Sequence, residues 1–471
     1  MKRNLLLFSC TSFIGLTGSY CTNIKTESTK PNIIIVFTDD QGYQDLGCYG
    51  SPLIKTPNID QMAKEGVRFT DFYVSASISS PSRASLLTGR MPARNGAGQV
   101  FFPDSKGMDS SEITIAEVLK TVGYKTACFG KWHLGDFAPN MPLGQGFDEY
   151  FGIPYSNDMY IGTRQKFADD ATFRDGYTLE KAKADQEFIQ KNGNNRSRIK
   201  EHGIKELVPL IRGNEIVEYP AEQGTLTRRY FDHALDFISN SGDSPFFIYI
   251  TPAMPHIPLF ASGEFVGTSA RGLYGDVVEE IDRNMGRLFK YLKENGLDEN
   301  TMVIFTSDNG PWLEHGDHAG SALPFRDGKF TEYEGGLREP CIMRWTGKWA
   351  SGKVSGEIVS TLDFLPTIAF YAGAKLPETE LDGINISKLL EDPSSNRGHD
   401  LFFYSKNTKI WGVRKGDWKY LPHGGAREAT EIDPPELYNL KEDISETTNL
   451  VNQYPEIVKN LQQEIDNYFV K

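Results

Sequence analysis

Histidine and cysteine are scarce in this chain of 471 residues, with eight of the first and five of the second. So few cysteines exclude a disulfide scaffold, and so few histidines leave little for a histidine-rich metal centre. Positive charge is also in deficit. Lys and Arg total 50 against 63 Asp and Glu, a formal net charge of −13. A net acidic chain lacks the basic face that sequence-independent nucleic-acid binding requires, so no nucleic-acid partner is expected. There is no internal repeat, and the 45 Gly and 25 Pro follow no period, which excludes collagen-like and low-complexity architectures. Beyond the N-terminus no run reaches the roughly 18 apolar residues of a spanning helix. The remaining composition, 39% hydrophobic and 24% charged, is that of a large globular protein.

The chain opens Met1-Lys2-Arg3, continues with an apolar run from Leu5 to Leu16, and reaches small and polar residues at Thr17-Gly18-Ser19-Tyr20-Cys21. A basic start, a short apolar run and a small-residue end describe an export signal over residues 1–21. Loss of Lys2 and Arg3 would move the charge from −13 to −15. Cys21 could alternatively carry a lipid, although Tyr20 is larger than the residue usual before such a cysteine, and membrane attachment is expected only in that case. Cys48, Cys128 and Cys341 are odd in number and read as buried free thiols.

Buried-strand patterns alternate with amphipathic helices. Ile33–Phe37, Phe246–Ile250 and Met302–Phe305 are continuous apolar runs, as expected of strands covered on both faces. Thr114 and Glu117 have capping-box spacing, with Gly123 beyond the helix they begin. Val277, Val278, Ile281, Met285, Leu288, Phe289 and Leu292 share one helical face and read as core. The alternation predicts an α/β fold, with a large domain over residues 30–392 built on a central, mostly parallel sheet flanked by helices. Residues 160–215 are polar and read as a surface excursion. Past Asp392-Pro393-Ser394-Ser395-Asn396 come short strands at 401–404, 410–414 and 418–421, then a helix with Ile457, Leu461, Ile465 and Tyr468 on one face. Residues 393–471 are therefore expected to form a small C-terminal α+β subdomain with an antiparallel sheet.

Chemistry gathers just after the buried runs, where open α/β sheets carry their ligands. Asp39 and Asp40 follow the first run; Asp308 and Asn309 follow the last. Adjacent buried carboxylates repel unless a cation joins them, and an all-oxygen set suits Ca²⁺ or Mg²⁺. Ser79-Ser80-Pro81-Ser82-Arg83, leading to Leu86-Leu87-Thr88-Gly89-Arg90, reads on its own as a Ser/Pro helix start with an arginine one turn in.

This segment resembles the signature of the formylglycine-dependent (type I) sulfatases of the alkaline phosphatase superfamily. Further motifs follow that family's order: Asp39-Asp40-Gln41-Gly42, Gly130-Lys131-Trp132-His133, Pro255-His256, Ser307-Asp308-Asn309-Gly310, and Lys329 ahead of Glu334-Gly335-Gly336-Leu337-Arg338-Glu339-Pro340. Gly152-Ile153-Pro154-Tyr155-Ser156 is similar to arylsulfatase A-like members. The resemblance implies that Ser79 is oxidised to formylglycine, whose hydrate is the nucleophile, as in Ser-type bacterial members. It implies Ca²⁺ held by Asp39, Asp40, Asp308, Asn309 and the modified Ser79, with Arg83 holding the hydrate. Lys131, His133, Ser156, His256 and Lys329 would surround the sulfate, with His256 as general acid and His133 as the base that regenerates the aldehyde. His423 could reach the substrate from the C-terminal subdomain, whereas His315, His318 and His399 read as structural.

The implied substrate is a sulfated carbohydrate, with galactose or N-acetylgalactosamine sulfates favoured. The implied partner is a radical maturase acting on Ser79 before export, which with the signal predicts a periplasmic protein. The alternatives are a phosphoester hydrolase of the same superfamily, disfavoured by the few histidines, and a non-catalytic sulfoglycan-binding protein with unmodified Ser79.

Overall fold

The computed structural model describes residues 30–395 and 397–469, together with Met1. Apart from Met1, the export signal expected over residues 1–21, with Cys21, lies outside the described residues. So does Asn396, at the expected domain boundary.

The apolar run at the start of the chain becomes the strand Asn32–Thr38, buried along its length. It lies between two parallel neighbours, Thr301–Ser307 and Phe246–Thr251. Lys125–Gly130 and Glu149–Gly152 continue the parallel array. Successive strand side chains point to opposite faces, and the two faces have separate cores. Ile33, Ile35 and Phe37 pack with Leu86, Leu87, Ile115 and Phe364. Ile34 and Val36 pack with Tyr230, Val277 and Ile281 from the helices Leu226–Asn240 and Leu273–Glu294. Each such aliphatic side chain contributes roughly 2 kcal/mol by burial, which is why the run carries no polar residue.

The eleven-stranded sheet is parallel at its centre and mixed at its flanks. Cys341–Arg344 runs antiparallel to Thr301–Ser307, and Leu210–Arg212 antiparallel to Glu149–Gly152. The excursion at 160–215 supplies part of one flank: Lys166–Phe173 and Leu210–Arg212 extend the sheet through Glu215–Tyr219. Its Ala182, Ile189 and Ile211 join the main core. Thr114 and Glu117 make both capping-box bonds, 3.2 and 2.8 Å. Cys48, Cys128 and Cys341 are unbridged; Cys48 is half-buried rather than buried. Among the described residues, no helix is long and apolar enough to cross a membrane.

The C-terminal sheet is antiparallel, with Leu401–Lys406, Lys409–Lys415, Trp418–Leu421 and Glu436–Asn439 in that order. The last helix, Pro455–Asp466, stops short of Tyr468, whose hydroxyl instead donates to Asp382 at 2.7 Å. This sheet is fastened to the larger one by a buried ion cluster. Lys419 donates to Glu334 at 2.9 Å and pairs with Glu446 at 2.8 Å. Arg338 reaches Glu334 at 3.2 Å and Asp71 at 2.7 Å, and Arg414 also meets Asp71 at 2.7 Å. Burial opposes charge on Glu334, but Lys419 and Arg338 overcome it and hold that carboxyl at about 2. Burial pushes Glu446, which shares Lys419, up to about 7. Removing one member of a buried ion set strands the others, at a cost of about 3 kcal/mol or more. Lys419→Met should therefore lower the thermal midpoint by several degrees, and scanning calorimetry that finds no shift would refute this role for the cluster.

Candidate active site

The register of the central strands builds the site. Thr38 pairs with Ser307, so the residues after them leave the sheet side by side. Asp308 donates its N–H to the Thr38 carbonyl at 3.0 Å, and Asp40 donates its N–H to Asp308 Oδ1 at 3.1 Å. Asp40 takes φ 58°, a left-handed conformation that Asp and Asn tolerate better than most residues. Asp39, Asp40, Asp308 and Asn309 are all buried. Gly310 must be glycine: a Cβ there would lie 1.9 Å from the Gly335 carbonyl, so this loop packs directly on the Glu334-Gly335 turn.

Each buried carboxylate meets its own cation. Arg83 Nε donates to Asp308 Oδ2 at 2.9 Å, and a terminal guanidinium nitrogen lies 2.8 Å from the same oxygen. Lys329 donates to both Asp40 oxygens at 2.7 and 2.8 Å. Lys131 donates to Asp39. Gly130 aims that lysine; at φ 129°, a Cβ would sit 2.0 Å from the Thr251 carbonyl, which instead accepts the Lys131 N–H at 2.7 Å. Burial acts against charge on Asp39, but Lys131, His256 and Arg83 outweigh it and lower its pKa. Burial lowers that of Lys131. Burial acts the same way on Lys329, where Asp40 and Asp39 prevail and raise it.

Ser79 opens the helix Ser79–Thr88 at the middle of this set. Its Oγ is 3.2 Å from Asp39 Oδ1 and 3.4 Å from Asn309 Oδ1, and it accepts from Lys131 Nζ at 3.2 Å. His256 Nε2 lies 3.6 Å from Asp40 Oδ2, with Nδ1 against the Ile257 carbonyl. His133 holds φ 64° and places Nε2 3.1 Å from the Phe101 carbonyl. Burial, then Lys131 and Arg83, lowers its pKa well below the usual 6.5, so it is neutral. Ser156 is buried one residue before Asn157, whose amide donates to the His256 carbonyl at 3.4 Å. His423 is half-buried against Trp411, ring centres 5.1 Å apart, and makes no hydrogen bond or ion pair to the carboxylates among the described residues.

Sequence reasoning passed over Trp312 and set His315 aside as structural. The Trp312 ring lies 5.8 Å from His256, 4.5 Å from His315 and 4.8 Å below Lys329 Nζ. His315 is exposed and packs edge-on against Trp312, which places it on the site's rim. An aromatic two residues after Gly310 in a loop leaving a strand end was the available signal. His399 binds Asp363 at 2.7 Å instead.

Oxygens of Asp39 and Asn309 face Ser79, Asp40 Oδ1 accepts from Asn309 Nδ2 at 2.7 Å, Asp308 Oδ1 accepts the Asp40 N–H, and ligand atoms of Asp39, Asp40 and His256 lie within 4.8 Å of one another. A mainly carboxylate and amide donor set fits a hard divalent cation.

Residues 31–374 match the family model described as Sulfatase, and residues 325–471 match N-sulphoglucosamine sulphohydrolase, C-terminal. Human arylsulfatase A is 38% identical over 463 residues, covering 92% of this chain and 86% of that protein. The N-acetylgalactosamine-6-sulfatase of Rattus norvegicus is 37% identical over 415 residues, covering 83% and 71%. The solved structure of Ps i-CgsB in complex with k-i-k-neocarrahexaose superposes with a TM-score of 0.75 at 30% identity, covering 93% of this chain and 92% of that one.

Ca²⁺ at one hundred times its Kd should stabilise the fold by about 2.7 kcal/mol, read as a rise in thermal midpoint. Asp40→Asn should lose most of that rise; an undiminished rise would place the ion elsewhere.

Proposed function

The chain belongs to the sulfatase family, the type I sulfatases of the alkaline phosphatase superfamily, and is a sulfuric ester hydrolase; from this premise we propose that it removes sulfate from carbohydrates, galactose or N-acetylgalactosamine sulfates among them, as an exported bacterial enzyme of the Ser type. The observation that carries the reading is the Ser79 hydroxyl, buried among Asp39, Asn309 and Lys131 at hydrogen-bonding distance. The relatives named for N-acetylgalactosamine-6-sulfate hydrolysis and for a complexed carrahexaose support a sugar substrate. The single histidine beside the acidic pair supports sulfate ester over the histidine-rich dizinc phosphoesterase alternative. Retention of two histidines and two lysines around Ser79 supports catalysis over binding alone.

Asp39, Asp40, Asp308 and Asn309 would hold Ca²⁺, which together with formylglycine at position 79 would supply an electrophilic metal and an aldehyde hydrate as nucleophile. The chain's own groups do the rest. Lys131 and Lys329 bind the sulfate oxygens and stabilise charge that grows on them. Arg83, locked on Asp308, holds the start of the helix that residue 79 opens and would hold the hydrate there. His256 Nε2 gives a proton to the departing sugar oxygen. His133, neutral through burial, accepts a proton from residue 79 during sulfate release. Ser156 contributes to sulfate binding, and His423 approaches the sugar from the C-terminal sheet. A radical maturase would oxidise Ser79 before export to the periplasm, with membrane attachment only through a lipidated Cys21.

Mass spectrometry of the residue-79 peptide from the native organism should show loss of two hydrogens; active protein with an intact serine would sink the formylglycine reading. His256→Ala should slow an alkyl sulfate at least about tenfold more than an activated aryl sulfate. Equal losses on both would remove its role as general acid.

A further inference from the structure

We propose that Ser80 is a positioning residue that fixes the tautomer of His133 through the Phe101 backbone. Ser80 directly follows the nucleophile position and is buried on the helix Ser79–Thr88. Its Oγ accepts the Phe101 N–H at 3.0 Å, and the Phe101 carbonyl meets His133 Nε2 at 3.1 Å.

A carbonyl can only accept, so Nε2 of the neutral imidazole must carry the proton. Nδ1 is then the basic atom. It is fully buried and has no hydrogen-bond partner among the described residues. A buried acceptor left unpaired is costly, so an open Nδ1 is kept for a proton that arrives in the reaction. The Tyr155 ring, its centre 5.7 Å from that of the imidazole and nearly perpendicular to it, walls the ring on another side and leaves the Phe101 contact to set the proton's place.

The 101–104 loop is itself held from outside the site. Asn194 donates to the Pro103 carbonyl at 3.3 Å, Arg196 lies over Phe102 at 4.4 Å, and Asp104 receives the Thr163 N–H at 2.9 Å. The excursion at 160–215 therefore braces the loop, while Ser80 sets its orientation relative to the nucleophile helix. One hydroxyl thus ties the base to the helix whose first residue it serves.

The inference rests on the proposed role of His133, so its test has two independent arms. In perdeuterated, ¹⁵N-histidine-labelled protein carrying unmodified Ser79, the ring nitrogens report the tautomer without turnover, with His133→Gln assigning the signal. His133 should show Nε2 protonated and Nδ1 bare. Ser80→Ala should give a mixture, and Ser80→Thr should restore the single form. In matured protein corrected for formylglycine content, Ser80→Ala should lower kcat on an aryl sulfate about tenfold, with KM within about twofold and recovery in Ser80→Thr. A wild-type tautomer and kcat in Ser80→Ala would overturn the proposal. Full activity in His133→Gln would overturn the base role itself, and the tautomer measurement alone would then decide for or against Ser80.

Discussion

Three carboxylates buried at the ends of two neighbouring parallel strands set the terms for everything around them. Asp39, Asp40 and Asp308 are close enough to repel, and buried charges are costly unless they are paired. Each is paired with a cation, Lys131, Lys329 and Arg83 respectively, and Arg83 also lies 3.8 Å from Asp39. Those cations come from three further segments of the chain, so the charge balance requires that the strands, the nucleophile helix and the Lys329 loop assemble together. The folded state has no way to place one pair without the others.

The same constraint reaches the C-terminal sheet. Gly310, next to Asn309, sits against the Gly335 carbonyl, and Glu334 before it anchors Lys419 from the other sheet. One short turn thus has a face toward the active-site loop and a face toward the second ion cluster. Both clusters resolve the same difficulty, burial of acids, by bringing in cations from distant sequence. Beside the active-site cluster, Nδ1 of His133 is buried with no hydrogen-bond partner among the described residues.

How much of this was legible follows from which interactions are local. Ile33–Phe37 announces a strand covered on both faces, and a polar pair directly after it announces a strand-end site, because both signals lie within a few residues. The ordered motifs brought Arg83, Lys131, His256 and Lys329 into the same list, and the structure brings them within reach of the carboxylates. Pairing across the sheet flanks is nonlocal, so the antiparallel edges and the strands of the excursion were not visible in a polar stretch. The helix near Ile457 was overrun because Tyr468 continues its spacing, yet its hydroxyl is drawn to Asp382 by tertiary contact. The position of His315 was hidden for a related reason. In an exposed run of Glu, His, Gly and Asp, only the fold reveals that Trp312 carries it to the rim beside His256.

The scarcity that opened the reading then takes a different meaning. A net charge of −13 describes the field far from the protein and rightly disfavours nucleic acid. Inside the site the three acids and three bases cancel, so a divalent cation held by those oxygens would leave about two positive charges facing the substrate. An anion entering the pocket senses that local excess in a medium of low dielectric, where it outweighs the screened exterior. Few histidines serve the same end. With a donor set made mainly of carboxylates and an amide, a cation there would need little from histidine.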